Sequence, residues 1–388
     1  MRRSPEPVRA LATACLVLAG GCVRQSEPVG PSRLITPPTP GTVVLKGPDG
    51  AVTRDAVLQI SLDPLPALST DGFVLPLISP DGAGLAWQSR SNADWPTLLA
   101  QPDATRALLA TVEGRRDSQA WSVGEPLLLG RMAQAQGLLV EAPREDGARW
   151  VGMVGWDGSG PTWLVQDAAV NAFATLGPRG EVAWCRREPA TRDFDLVVQR
   201  PEGRLEWPRR EGESWMMPVI SPEGVYAISL RDGVLELAFL PLRAGQSMTR
   251  SQAEPALLRK RISLRGTARV AYQTMVACTP DAATTAGGLL FFHPDLRRMA
   301  FWKPASDEMR ILAERSVSAW VQPDGSALVS LPDRLVMQEM PPEPGLAPLQ
   351  VIPGLWLPRG RDTSGVILLG PRETSCQVSR LRMGATAK

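Results

Sequence analysis

The sequence predicts an all-β fold, a β-propeller of about seven four-stranded blades, and three observations carry that prediction. Glycine and proline are both abundant, 35 and 37 in 388 residues, which favours many turns between short strands over long helices. A proline-containing turn flanked by two apolar runs recurs along the chain, as in FVLPLISPDGAGLAWQSR at Phe73 to Arg90. The copies lie about 35 to 60 residues apart, which brackets the length of one propeller blade. Six and eight blades are the alternative counts.

The chain opens with an address. MRRSPEPVR is a basic n-region, and ALATACLVLAGG is an apolar run that ends at Cys22. As a helix that run would rise only about 18 Å, against a hydrocarbon core of about 30 Å, so residues 1–21 read as a signal peptide and not as a membrane span. LVLAGGC resembles the lipobox of bacterial lipoproteins, with Ala19 where leucine is usual. The resemblance implies that Cys22 is lipidated and becomes the new N-terminus; an ordinary secretory signal with an incidental cysteine is the alternative. Val23 is not an aspartate, so the sorting rule of enteric bacteria prefers the outer membrane to the inner. Residues 22–42, rich in turn and extended formers without amphipathic period, read as a tether. Residues 43–388 are then the propeller.

Within that body the turn returns in AFATLGPRGEVAWCRR at Ala172, MPVISPEGVYAISLRD at Met217 and SAWVQPDGSALVSLPD at Ser318. Proline fixes φ at each turn, and Asp, Glu or Gly tolerates its backbone angles and bonds its amides. Two further alternating runs follow each pair, so each unit is an up-and-down sheet of four short strands. The first-strand turns are expected near Pro80, Gly130, Pro178, Pro222, Pro280, Pro323 and Pro358, with an insertion around Leu242 to Ala256. The segment from Pro126 to Asp167 cuts into four strands without the Ser-Pro-Asp turn, and GWDGSGPTW at Gly155 is its third-to-fourth hairpin. In the unit that opens with TMVACTPD at Thr274, the first strand is expected at that octapeptide. The last unit offers three strands, GLWLPRG, GVILLGP and SCQVSRLRM. AVLQISL at Ala56 to Leu62 is the available fourth, which closes a ring and protects its edges.

The Ser-Pro-Asp-Gly turn followed by an apolar-aromatic strand resembles the TolB-like, or PD40, subclass of WD40-like β-propeller repeats over nearly all of residues 50–388. The resemblance implies a fold and no particular activity. TolB carries an α/β domain before its propeller and only a tether stands here, so a role in the Tol-Pal machinery is not implied.

Charge excludes one class of partner. Residues 1–21 carry Arg2, Arg3, Arg9 and Glu6, and without them basic and acidic side chains balance, so no overall basic footprint for nucleic acid exists. Cys185, Cys278 and Cys376 are widely spaced and match no zinc pattern; they read as small buried residues, with one disulfide and a free thiol as the alternative. Asp81, Glu223, Asp281, Asp295 and Asp324 read as formers of the first-to-second-strand turns, each turn facing away from its neighbours, and not as a metal ring. His293 is the only histidine and reads as a turn residue. No serine-hydrolase elbow, zinc-protease pair or phosphate loop occurs, and no metal, catalytic residue or cofactor is expected. Trp87, Trp184 and Trp302 recur at strand positions and are expected to pack between blades. Trp95, Trp121, Trp156 and Trp215 lie nearer loops and are the candidates for a ligand face. The expected role is a non-catalytic binding or scaffolding module of the cell envelope for a protein or peptide partner, with the membrane reached through the lipid alone. The alternative is a propeller that binds or cleaves glycans with paired carboxylates and exposed tryptophans.

Overall fold

A computed structural model describes residues 137–155, 161–177, 179–207, 209–242, 257–268, 287–322, 326–340 and 348–362, a few helical residues from 270 to 274, and further strands between 34 and 133 and between 365 and 387. Nearly every described element is a strand, and the strands form small antiparallel sheets in chain order.

Unit 1 is Leu77–Ile78, Gly84–Ser89, Arg106–Thr111 and Ala120–Trp121. Unit 2 is Leu128–Ala133, Gly137–Pro143, Arg149–Gly155 and Thr162–Val165, and unit 3 is Val170–Leu176, Val182–Arg187, Asp195–Arg200 and Gly203–Trp207. These two quartets touch through one parallel pairing, Arg149 with Val170. Unit 4 is Glu213–Ile220, Gly224–Arg231, Val234–Pro241 and Leu258–Ser263. Unit 5 has three described strands, Leu289–His293, Arg298–Lys303 and Glu308–Ile311. Unit 6 is Ser318–Val321, Ser326–Ser330, Arg334–Glu339 and Leu349–Pro353. Unit 7 joins Leu357–Asp362, Gly365–Pro371 and Ser375–Ala387 to Gly50–Pro64 from near the start of the chain. The register of that last pairing runs from Ala56 opposite Ala387 to Pro64 opposite Ser379.

Strand alternation explains how the units stack. In Gly224–Arg231, Val225 and Ala227 enter a core with Ala183, Cys185, Leu196, Val198 and Trp207 of unit 3. Tyr226 and Ile228, on the other face, enter a core with Leu289, Phe291, Ala300 and Trp302 of unit 5. Both faces of a strand are buried between neighbouring sheets, so the strand reads as a near-continuous apolar run and not as a clean alternation. The next core joins Leu290, Phe292 and Phe301 to Ala319, Trp320 and Leu328 of unit 6 and to Val366, Leu368 and Leu381 of unit 7, with Leu62 buried among them. Sheets packed face to face in succession are the arrangement of a β-propeller.

The repeated tryptophans behave as expected where they are described. Trp184 packs with Leu139, Val151 and Val165 of unit 2. Its indole N–H donates to Asn171 Oδ1 at 2.9 Å. Trp302 lies in the core between units 4 and 5 and is 1% exposed. Burial of such a ring stabilises by about 4–6 kcal/mol relative to exposure. Trp87 lies in the Gly84–Ser89 strand opposite Leu108, with its side chain outside the described residues. Cys185 is buried in the core between units 3 and 4; Cys278 and the side chain of Cys376 fall outside the described residues.

Several boundaries differ from expectation. Gly130 is inside Leu128–Ala133 and not at a turn. Pro358 is inside Leu357–Asp362, opposite Leu368, and a register shift between Pro358 and Gly360 leaves Arg359 as the bulged residue beside it. Thr274, first residue of an expected strand, is helical, and its Oγ1 donates to Val270 O at 2.8 Å; the rest of that octapeptide lies outside the described residues. Two strands, Leu34–Ile35 and Thr39–Gly47, start inside the stretch read as tether and pair with Gly50–Pro64. Extended, proline-rich chain is compatible with an edge strand, so composition alone did not distinguish the two. Cys22 and the signal stretch lie outside the described residues.

Candidate functional site

The described turns show what their polar residues do. In Ser221-Pro222-Glu223-Gly224 the buried Ser221 hydroxyl accepts from the amides of Glu223 and Gly224, at 3.3 and 3.1 Å, and donates to Gly224 O at 3.1 Å. The serine closes this turn, where the sequence pointed to the carboxylate. In unit 3 the buried Glu181 plays that part, accepting from the Arg179 amide at 2.9 Å and from Arg179 Nε at 2.8 Å. Gly177 leaves room for it, because a Cβ there would stand 2.6 Å from Glu181 Oε2. Neighbouring turns also meet instead of facing apart: Arg179 Nη2 donates to Pro222 O at 3.4 Å, and the Glu223 carboxylate lies against Gly287.

Asp295 does not share that end of the sheets. The Leu289–His293 strand begins near Glu223 and runs to the opposite end, where Ser263 Oγ donates to Asp295 Oδ1 at 2.7 Å. Asp81, Asp281 and Asp324 lie outside the described residues. Among the described residues no three His, Cys, Asp or Glu side chains converge as a metal site.

His293 is 7% exposed and its Nδ1 accepts from the Leu296 amide at 3.3 Å, so the imidazole holds the turn at residues 294–297. Burial lowers its pKa, and the opposing pull of Asp295 does not restore it. A depressed folded-state value means that the unfolded chain takes up the proton first, near pH 6.5, so stability is full above that pH and falls as pH drops below it. The urea midpoint is expected to fall between pH 7 and pH 5.5, and the fall to shrink in His293→Asn. Identical pH slopes in the two proteins would contradict this role.

The tryptophans offer no open platform among the described residues. Trp215, a ligand-face candidate, is 1% exposed inside Glu213–Ile220, with the Arg259 guanidinium 5.0 Å from its ring centroid. Its strand starts earlier than the Met217 expected from the repeat, which moves Trp215 from loop to core. Trp95 and Trp156 lie outside the described residues, and Trp121 ends a strand with its side chain undescribed. Two half-buried indoles that sequence reasoning did not single out, Trp150 and Trp163, meet edge to face at 5.6 Å, and Arg144 covers the Trp150 ring at 3.8 Å. Both are engaged in packing.

Buried and partly buried carboxylates within and between units anchor polar networks. Glu141 of unit 2 accepts from Arg149 Nη1 and from the Phe173 amide, both at 2.8 Å. Phe173 holds a left-handed φ of 58° at a bulge, a conformation that costs about 1–3 kcal/mol and is anchored here by a carboxylate. Asp167 is partly buried, which raises its pKa, but hydrogen bonds from Asn171, the Ala169 amide and Arg186 outweigh that and hold it below the usual carboxylate range. Within unit 4, Glu213 accepts from Ser229, from Arg259 Nη1 at 2.8 Å and from the Arg210 amide in the loop that enters the unit, at 2.9 Å.

The opposite kind of feature appears at the sheet ends, with Leu264 and Leu296 at the end that carries Asp295 and Leu258 at the other end of its strand. Leu258, Leu264 and Leu296 are the exposed large apolar side chains among the described residues, at 40%, 66% and 44%. Composition cannot show which leucines are exposed. The available cue was local: Leu264 follows the last alternating residue of RKRIS, and Leu296 sits in a Pro-Asp turn.

No family model and no curated protein matches the chain. Among solved structures it is similar to the Dos1 propeller, with 9% identity and a TM-score of 0.47 over 82% of this chain and 95% of that one. A puromycin-hydrolyzing peptidase of Mycobacterium tuberculosis is similar with 13% identity and a TM-score of 0.49, over 84% of this chain and 56% of that chain. TolB from Acinetobacter baumannii is similar with 11% identity and a TM-score of 0.35, over 81% of this chain and 82% of that one.

Proposed function

We propose that this chain is a cell-envelope lipoprotein whose seven units are the blades of a closed ring, and that the ring is a non-catalytic binding or scaffolding module for a protein partner. Cys22 carries the lipid, and the outer membrane is the destination. One observation carries the binding reading. Glu181, Arg200, Glu213 and His293, buried charged or imidazole side chains of the described body, each hold a fold contact: with Arg179, Glu202, Arg259 and the Leu296 amide. These four are committed to structural contacts, while apolar side chains stand exposed at the sheet ends. Rigid sheets with variable end loops suit recognition, because the loops change without disturbing the cores.

Ring closure is supported by the antiparallel pairing of Gly50–Pro64 with Ser375–Ala387 and by Leu62 and Leu381, opposite one another and buried in the same core. The experiment has two arms. Cys22→Ser is expected to move the protein from the membrane to the soluble exported fraction, and unchanged fractionation would contradict the anchor. Chemical crosslinking in the native envelope is expected to trap the anchored protein in a discrete adduct; monomer alone would contradict the binding role.

A further inference from the structure

We propose that the sheet end carrying Asp295 is the docking face, centred on Leu264 and Leu296, and that it takes a partner segment combining apolar and acidic side chains. This rests on the binding-module reading above and adds the face and the chemistry of the occupant.

The two leucines belong to different units but to one patch. Leu264 follows Ser263, Leu296 follows Asp295, and the 2.7 Å hydrogen bond from Ser263 Oγ to Asp295 joins their loops. Neither loop is held loosely. The Gly266 amide donates to Gly233 O at 2.7 Å, the Arg265 amide to Ser263 Oγ at 3.1 Å, and the Leu296 amide to buried His293. With their backbones pinned, side chains exposed to 66% and 44% stay in water, a cost that docking would recover.

Charge selects the occupant. Arg265, Arg297 and Arg315 are exposed at this end, and none forms an ion pair among the described residues. The acids beside them are engaged: Asp295 accepts from Ser263, Glu314 pairs with Arg298 at 3.8 Å, and Asp232 pairs with Arg231 at 3.6 Å. Arg297 and Arg315 also hold left-handed φ values of 52° and 61°, where glycine or asparagine is cheaper, so the backbone does not select arginine there. Two leucines rimmed by three cations unsatisfied by this chain complement a segment that alternates apolar and acidic residues. A flat anionic bilayer fits less well, because the Asp232 and Glu314 side chains, 77% and 86% exposed, would face it.

The test uses the purified exported chain and fluorescent peptides that alternate Leu with Asp, Leu with Lys, or Ser with Asp. The Leu-Asp peptide is expected to bind, more weakly as salt rises. Leu264→Ser/Leu296→Ser and Arg265→Glu/Arg297→Glu are each expected to weaken it about tenfold or more at unchanged thermal midpoint. Equal affinity in the variants, no binding of this peptide, or binding only to phosphatidylglycerol vesicles would overturn the assignment. A photocrosslinker placed at residue 264, and separately at Glu202 on the other end, separates the two levels. Envelope adducts at 202 alone refute this face and leave the binding module standing; adducts at neither remove both; an adduct at 264 displaced by the Leu-Asp peptide supports both.

Discussion

Glu213→Ala is expected to lower the stability of the folded protein by about 3–5 kcal/mol, measured by urea denaturation at pH 7. The carboxylate is 1% exposed and accepts from Ser229, from the Arg210 amide and from Arg259. Its loss strands the Arg259 guanidinium, whose Nε already has no hydrogen-bond partner among the described residues, over the Trp215 ring between units 3 and 4. Glu236, 3.2 Å from the same Nη1, is too exposed to replace the lost charge fully. Burial raises the Glu213 pKa, but the bonds from Ser229, the Arg210 amide and Arg259 outweigh it and set the value below the carboxylate norm. The contribution is therefore complete above the unfolded value near pH 4.3 and is lost as pH falls below it, so the alanine variant should show a shallower acid transition. A change under about 1 kcal/mol would mean that water already solvates the pair.

The second large effect concerns the ends of the chain. A disulfide between residues 60 and 383, which face each other across the closing pair, would bridge a loop of roughly 320 residues and remove about 5–6 kcal/mol of unfolded-state entropy before any strain. Gln59 and Gly384 form the adjacent rung, and one of two adjacent rungs is of the non-hydrogen-bonded kind, with Cα atoms about 4.5 Å apart. Thermal unfolding of the oxidised pair should shift upward relative to its reduced form.

What the sequence made legible follows from which residues restrict the backbone. Proline and glycine at fixed offsets marked the turn at Ser221, the Gly365–Pro371 strand was read where it lies, and its neighbours Leu357–Asp362, Ser375–Ala387 and the N-terminal partner were read with limits a few residues off. Trp184 and Trp302 were placed correctly because their strand positions repeat. Where one residue is inserted, legibility failed: the bulges after Met216 and after Pro358 shift strand limits by a few residues, enough to misassign Trp215 and the last turn. Long-range partners were invisible as well. Nothing local to Glu213 announces Arg259, and nothing local to Leu264 announces Leu296.

The most direct test of the closed ring is disulfide formation under mild oxidation in variants carrying cysteine at residues 60 and 383, in a background without Cys22, Cys278 and Cys376. A control pair at 60 and 384 is one residue out of register and directs its side chains to opposite faces. The account predicts a fast-migrating, fully crosslinked monomer from the 60/383 or 59/384 pair and none from the control. Failure of both rungs to crosslink, or equal crosslinking of the control, would contradict the ring.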